Sequence, residues 1–223
     1  RFEGLNDRDG TGSWSECAKP GIPKTLTNMP LVIQRTALSN PGTSSEVATF
    51  TIKQFTYADR LIGDELTNPL PSFVNKRINK VLFFRNRLVF LSGENVITSR
   101  PGTLGEPDFF SESALTISSS DPIDISAAST FPSELFDGIA INTGLVVFST
   151  NQQFLLASDD TVLNPDTAKL RSVSTFNYNK DIAPISLGTT IGYVDNSGKF
   201  SRFNEMSNIA REGEPVVVEV SKI

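Results

Sequence analysis

VLFFRNRLVFLSGENVITS, residues 81–99, is the stretch that decides the fold. It contains three short apolar runs, at residues 81–84, 88–91 and 96–99. The first two are joined by Arg85-Asn86-Arg87, which leaves room only for a tight reversal. The next turn, Ser92-Gly93-Glu94-Asn95, contains Gly and Asn, which adopt positive φ at little steric cost. Because a parallel crossover needs a dozen or more residues, the stretch predicts an antiparallel β-meander.

The same pattern occurs twice more along the chain. The second copy has apolar runs at 139–142, 145–149 and 154–158, and the third has runs at 185–187, 190–194 and 199–203. The middle runs begin at Leu88, Leu145 and Ile191, which gives a period of about 46 to 57 residues. Repeats of this size are typical of four-stranded propeller blades, and enough chain follows each copy for a fourth strand. The sequence therefore predicts an all-β fold of antiparallel meanders that forms part of a β-propeller-like domain, with a β-sandwich as the alternative.

Length and composition exclude several classes of protein. The 223 residues can bury a real core in one or two domains. A net charge of −5 argues against a basic clamp for nucleic-acid phosphates. With Cys17 as the single cysteine and no histidine, the chain has no internal disulfide, no Ser-His-Asp triad and no His-ligated zinc. It opens on RFEGL and closes on PVVVEVSKI, so we expect it to be part of a longer protein.

The remaining segments are assigned from their turn residues and apolar periodicity. Residues 1–30 are expected to be a loop-rich N-terminal segment that Trp14 fixes onto the core, and residues 31–223 the propeller-like region. Strands are expected at 31–35, 48–57 and 170–176, and an extended, proline-containing connector at 59–72. We expect one helical turn at 132–136 and a short helix at 203–211. Residues 216–220 are apolar on both faces and predict a central strand.

Pairs of acidic residues are the only side chains present in number that could act in catalysis. The candidate pairs are Asp64/Glu65, Asp121/Asp124 and Asp159/Asp160. Glycoside hydrolysis needs two carboxyl groups a few ångströms apart across a cleft, one of them with a raised pKa, and sequence neighbours do not meet this condition automatically. We interpret these acids as solvated turn residues.

No metal or cofactor site is predicted. The stretch from Asp7 to Gly12 begins like a calcium loop, but Ala18 stands where the bidentate acid is required. The sequence contains no Gly-rich phosphate loop and no basic run with interleaved aromatic residues. Arg85 and Arg87 flank a turn inside an apolar meander. We interpret them as structural residues that bridge to a carboxylate of a neighbouring element, with Glu94 as one possible partner.

FFRNRLVFLSGENV, residues 83–96, closely resembles the signature segment of phage tail tubular protein B, the family of nozzle proteins of short-tailed phages. The resemblance extends in order from about Trp14 to Phe203. It is carried by Trp14-x-Glu16, Pro20-Gly21, Met29-Pro30, Gly63-Asp64, Thr67-Asn68-Pro69, Pro71-Ser72-Phe73-Val74, Ile78-Asn79, Ser99-Arg100, Gly102, Asp108-Phe109-Phe110, Asp121-Pro122-Ile123-Asp124, Phe148-Ser149, Gln153-Phe154-x-Leu156 and Leu163-x-Pro165. Departures are Asn75 and Val89, where the family often has glycine, and Phe55 or Tyr57, where tryptophan is usual.

The resemblance implies a non-enzymatic structural protein of the virion tail. The resemblance also implies that the nozzle is a hexameric ring below the tail adaptor. Fibres would be attached to this ring, and its lumen would carry DNA without sequence-specific binding. An acidic chain fits a conduit, because a strongly basic lumen would hold DNA through counterion release. The family's motif falls on Arg85, Asn86, Arg87, Ser92, Gly93, Glu94, Asn95, Asp121, Pro122 and Asp124.

The alternative function is a propeller-type module that binds or hydrolyses glycans of the host envelope, because fold alone does not decide function. Acids that converge within ~10 Å in a cleft lined by aromatic residues would favour this alternative. Acids scattered over loops would favour the conduit. On the conduit interpretation, replacing Arg85 or Arg87 by alanine impairs folding or ring assembly rather than turnover.

Overall fold

The computed structural model describes residues 1–6, 9–102, 106–127, 132–158, 162–209 and 215–221. These residues form an all-β structure without a helix, so no helix in this part of the chain could cross a membrane. The strands are β1 Phe2–Asn6, β2 Asp9–Trp14, β3 Leu31–Ser39, β4 Val47–Gln54, β5 Lys80–Phe84, β6 Arg87–Ser92, β7 Asn95–Thr98, β8 Ile123–Ser126, β9 Leu135–Ile141, β10 Gly144–Ser149, β11 Gln153–Ser158, β12 Ala168–Ser174, β13 Ile185–Ser186, β14 Ile191–Ser197, β15 Phe200–Ser207 and β16 Val216–Glu219.

Three four-stranded antiparallel meanders make up most of the structure. Sheet I is β5-β6-β7-β8, sheet II is β9-β10-β11-β12 and sheet III is β13-β14-β15-β16, each in chain order. The predicted meanders and their fourth strands are therefore confirmed. Arg85 and Asn86 form the turn of the first hairpin with φ of 47° and 61°, the left-handed geometry that matches a two-residue β-hairpin turn.

The three sheets pack face to face in chain order. Alternate residues of a strand point to opposite faces of its sheet, so a sheet can bury side chains on both faces. Val89 and Leu91 of β6 face sheet II, whereas Phe90 packs beneath segments from the N-terminal part of the chain. Sheet II buries its other face against sheet III. Corresponding strands meet across the first contact, with β5 beside β9 and β8 beside β12. We call the contact between sheets I and II the first junction and that between sheets II and III the second junction.

Residues 1–30 were predicted to be loop-rich. The structure instead contains a hairpin in this segment, formed by β1 and β2. Gly12 allows this pairing, since a Cβ at that position would lie 2.2 Å from the carbonyl oxygen of Glu3. The expectation that Trp14 is fixed onto the core is wrong. Its side chain is 81% exposed and packs on the ring of Phe2, with centroids 5.4 Å apart. The division of the chain at residue 30 stays a prediction.

Three other assignments from the sequence are corrected. Residues 132–134 are irregular and β9 begins at Leu135, so the helical turn at 132–136 is wrong. The helix predicted from Phe203 is strand β15, in which Met206 packs into the second junction and residues 210–211 lie outside the described part. Finally, β16 is an edge strand rather than a central one, because it is the last strand of sheet III. Its Val217 packs inward, while Val216 and Val218 are exposed on the outer face.

Candidate functional site

Arg87, the first residue of β6, lies at the centre of the signature segment and is 2% exposed. Its Nη1 donates to the carbonyl oxygens of Ser99 (2.9 Å) and Asp121 (2.7 Å). Its Nη2 donates to those of Ser119 (2.8 Å) and Leu163 (3.2 Å). Because Leu163 belongs to the loop between β11 and β12, one guanidinium joins sheet I, the segment before β8 and sheet II.

The charge of Arg87 is retained at neutral pH. Burial first, and then the nearby charge of Arg100, lower the pKa of Arg87 to about 10, while Asp121 acts in the opposite direction. The planar guanidinium has five donors in fixed directions, which suits a set of converging carbonyl oxygens. This arrangement is a structural clamp, since the guanidinium donates to four backbone carbonyl oxygens, which have no reactive chemistry.

The second turn of the signature also joins the first two sheets. The carbonyl oxygen of Gly93, at φ 57°, accepts from the backbone N–H of Leu135, where β9 begins, at 2.8 Å. Glu94 Oε1 accepts from the backbone N–H of Ser133 at 3.2 Å. Glu94 therefore holds the connection between the sheets. The prediction that Arg87 bridges to a carboxylate, with Glu94 as one possible partner, is wrong, because its guanidinium donates to backbone carbonyl oxygens.

The other motif residues hold neighbouring loops in place. The carbonyl oxygen of Asn86 accepts from the N–H of Gly102 at 3.1 Å, and Ser92 Oγ donates to the carbonyl oxygen of Arg77 at 2.9 Å. Pro122 directly precedes the edge strand β8, a position where a missing N–H removes no ladder bond. Arg85, at the hairpin turn, places its guanidinium 5.4 Å from the centroid of the Phe84 ring.

Asp121 and Asp124 bind backbone amides rather than forming a catalytic pair. Asp121 is buried, and its Oδ2 accepts from the N–H of Ser118 at 2.8 Å, which closes a loop onto itself. Asp124 Oδ2 accepts from the N–H of Ser72 at 2.7 Å, and its Oδ1 accepts from Asn95 Nδ2 at 3.0 Å. Each carboxylate thus satisfies donors of the loops around sheet I.

The other acid pairs show no catalytic arrangement in the part of the chain that can be described. Asp64 Oδ1 accepts from the N–H groups of Leu66 and Thr67, both at 3.0 Å, and these bonds lower the pKa of this exposed carboxyl. Such a turn acid stays ionised, unlike a general acid. Asp159 and Asp160 lie outside the described residues, as does Asp7 of the calcium-like loop. Within the described residues, no group of three or more acids and cysteines could hold a metal ion.

The comparisons with known proteins agree with this structural interpretation. The model of the family "Bacteriophage nozzle protein" matches residues 2–222, nearly the whole chain. The chain belongs to this family. It is also 33% identical over 152 residues to the tail tubular protein gp12 of Escherichia phage T7. That alignment covers 68% of the chain and 19% of the relative, so the aligned part spans about a fifth of the relative's length. The family places the chain in a structural protein of the phage tail.

Two polar contacts of this nozzle chain were not predicted from its sequence. Arg60 is fully buried, donates from Nη1 to the carbonyl oxygen of Asn68 at 3.0 Å and lies over the Phe110 ring. Lys80 Nζ on β5 lies 2.8 Å from Asp137 Oδ2 on β9, an ion pair across the first junction. Single charged residues beside apolar strands are common on protein surfaces, so no spacing in the sequence distinguishes the buried Arg60 or the half-buried Lys80 from them.

Proposed function

We propose that the chain forms a propeller-like region of the nozzle, in a ring of identical copies through which phage DNA passes. The observation that supports this most strongly is the stack of three consecutive meanders. Each has its four strands in chain order, and β5 and β8 of sheet I lie beside β9 and β12, the corresponding strands of sheet II. Consecutive four-stranded meanders that pack face to face are typical of propeller blades.

The outer face of sheet III supports the same proposal. Register places Ile185 and Val218 on this face, and together with Val216 they are about half exposed. A large exposed apolar face on a sheet predicts a partner surface. In a propeller that surface is the next blade, which the longer nozzle protein would supply.

The charge of the chain fits a conduit that DNA slides through. The net charge of −5 and the absence of a basic run give little opportunity for phosphate neutralisation and counterion release. Weak attachment is what transport requires, because each neutralised phosphate adds to the affinity that movement must overcome. The adaptor above the ring and the tail fibres are proposed partners that follow from membership of the family.

We further propose that this region has no enzymatic role. Asp121 and Asp124 both accept hydrogen bonds from backbone amides, and the hydrogen bonds to Asp64 lower its pKa. A glycosidase needs the opposite arrangement, with one carboxyl group that keeps its proton near neutral pH. No specific observation favours the glycan-binding alternative.

Cryo-electron microscopy of the purified tail, at side-chain resolution, tests the proposal directly. We expect a ring of copies in which sheets I, II and III are neighbouring blades around an axis, with a channel wide enough for duplex DNA. A monomeric protein with an acid-lined, closed pocket would contradict both the ring and the conduit, and would direct attention to glycan hydrolysis by Asp64, Asp121 and Asp124.

A further inference from the structure

The hairpin of β3 and β4 is the least covered part of the structure. We call it the ribbon, residues 31–54. Its nine-residue and eight-residue strands pair only with each other, and no ribbon residue belongs to any of the three hydrophobic cores of the described chain. A strand of nine residues is about 30 Å long. An isolated two-stranded hairpin is at best marginally stable in water, so we expect this one to be covered by another surface.

One face of the ribbon is apolar. Register pairs Ile33 with Ile52, and Leu31 and Phe50 lie on the same face on either side of this pair. These four side chains are 60 to 66% exposed. The opposite face carries the polar pair of Gln34 and Thr51. The two faces therefore differ as the buried and solvated faces of a sheet differ.

The tip of the ribbon is well formed, so the apolar exposure does not come from a loosely built hairpin. Asn40 and Gly42 adopt positive φ of 51° and 75°, and the N–H of Gly42 donates to Glu46 Oε2 at 2.7 Å. At the base, Tyr57 Oη donates to the carbonyl oxygen of Pro30 at 3.3 Å. The ribbon thus has a well-ordered turn at its tip and a hydrogen bond at its base, and it presents its apolar face between them.

We propose that the apolar face of the ribbon packs onto a second copy of the same chain, in a head-to-tail contact that repeats around the ring. This inference rests on the proposed function, which supplies the ring, and adds the surface that joins its members.

The area of the face favours a head-to-tail ring over a two-fold dimer. An apolar face of this size covers several hundred Å², whereas a stable interface takes about 800 Å² per partner. Two ribbons packed on each other in a two-fold dimer would bury only these two faces. In a head-to-tail ring each copy contributes one ribbon and receives one, which about doubles the area buried per copy.

Charge fits a second copy as the occupant, and the apolar character of the face argues against DNA. The ribbon carries Arg35, Glu46 and Lys53, a net charge of +1, in a chain whose net charge is −5. The rest of each copy is therefore acidic and attracts the ribbon of its neighbour. Arg35 is paired with Phe50 and so lies on the apolar face itself. Four large apolar side chains on that face do not suit a phosphate backbone.

Photo-crosslinking of the full-length protein identifies the occupant. We would place p-benzoylphenylalanine at Phe50, on the apolar face, and at Thr51, on the polar face, as the matched control. Rings assembled from mixed ¹⁴N-labelled and ¹⁵N-labelled copies distinguish crosslinks between copies from crosslinks within one copy. We expect isotopically mixed crosslinks from position 50 and severalfold fewer from position 51.

Each other outcome overturns the inference in a recognisable way. If rings form but position 50 crosslinks only within its own copy, to another tail protein or to DNA, the ribbon contact is wrong while the ring stands. If the full-length protein forms no ring at all, the proposed function itself fails.

Substitution gives an independent measurement of the same contact. Ile33→Ser with Ile52→Ser removes the central apolar pair, and Gln34→Ser with Thr51→Ser is the matched change on the polar face. We expect the first double variant to raise the protein concentration for half-assembly about tenfold or more, as loss of central apolar contacts does. Sedimentation velocity measures assembly, and an unchanged unfolding transition shows that the three cores are intact. Equal effects of the two double variants would contradict the inference.

Discussion

The first and second junctions each have an apolar core, but they differ in how their polar groups are paired. In the first junction, the guanidinium of Arg87 donates to four carbonyl oxygens and Lys80 pairs with Asp137. In the second junction, Asp195 pairs with Arg202, but Asp195 Oδ1 and Arg202 Nε are buried without a hydrogen-bond partner among the described residues. The same is true of Tyr193 Oη and Asn204 Nδ2.

This difference shows that the energetic cost of removing a buried polar group depends on whether the group is paired. A matched buried group stabilises little beyond its own desolvation cost, yet its removal leaves every partner unpaired and is expensive. An unmatched buried group already carries that cost, so its removal is cheap or favourable. Removal of a polar side chain should therefore be costly at the first junction and tolerated at the second. The nozzle signature residues lie at the first.

The largest expected effect is that of Arg87→Ala. The substitution removes the guanidinium donor from four carbonyl oxygens, of which that of Ser99 also accepts from Thr98 Oγ1, and we expect the free energy of unfolding to fall by about 3–5 kcal/mol. Urea denaturation of the purified protein, followed by fluorescence, measures the change. Arg87→Lys keeps the charge but offers no planar fork, so we expect it to recover only a minor part of the loss.

Arg77→Ala is the matched control for this prediction. Arg77 is exposed just before β5, and its substitution should change stability by no more than about 0.5 kcal/mol. A loss in Arg87→Ala as small as that of the control would show that the clamp does not hold the first junction together. Normal stability with loss of a measurable catalytic activity would instead contradict the structural role of Arg87.

The second expected effect is a loss of stability at alkaline pH. Burial raises the pKa of Tyr178 and of Tyr193 above the ordinary value of 10, with the charges of Asp137 and Asp195 acting in the same direction. The folded state therefore holds these protons after the unfolded chain has released them. Stability from the neutral phenols is fully present below the unfolded pKa of about 10 and is lost as pH rises from there towards the folded pKa.

Between pH 9 and pH 11, the free energy of unfolding should fall by about 1.4 kcal/mol per tyrosine. Urea denaturation across this pH range measures the decline, and the double variant Tyr178→Phe with Tyr193→Phe is the control in which it should be smaller by about 2–3 kcal/mol. A decline of equal size in both proteins would mean that other groups cause it.

The sequence was sufficient for the meanders because their information is local. Apolar runs of three to five residues, separated by Arg85-Asn86, Gly93 or Gly188, fix strand, turn and antiparallel order at once. The same logic failed at 203–211. There the alternation of β15 mixes Phe203 with polar residues, and only pairing with β14 and β16 shows it to be a strand. Edge position likewise depends on the whole sheet, so Val216 to Glu219 gave no local sign of it.

The sequence singled out residues that lie at the first junction, but it could not give their contacts. The signature pointed to Arg87 and Glu94, and both join sheet I to its neighbour. Their partners, however, are backbone groups of Leu163 and Ser133, and the Arg87–Leu163 contact spans 76 residues of sequence. Side-chain chemistry suggests a carboxylate for an arginine, whereas backbone acceptors carry no residue identity and leave no mark in a sequence. The contacts of Arg60 could not be predicted for the same reason, because this residue also donates to backbone carbonyl oxygens.

The smallest expected effect compares two tyrosines of the second junction, both buried against the ring of Phe148. Tyr178 Oη donates to the carbonyl oxygen of Ile182 at 2.9 Å, whereas Tyr193 Oη has no partner among the described residues. Tyr178→Phe should therefore lower the free energy of unfolding by about 1 kcal/mol, and Tyr193→Phe should leave it unchanged or raise it slightly. Thermal and urea denaturation at pH 7 measure both single variants. If Tyr193→Phe costs as much as Tyr178→Phe, the hydroxyl of Tyr193 is satisfied in solution, and the two junctions do not differ in the way that their geometry implies.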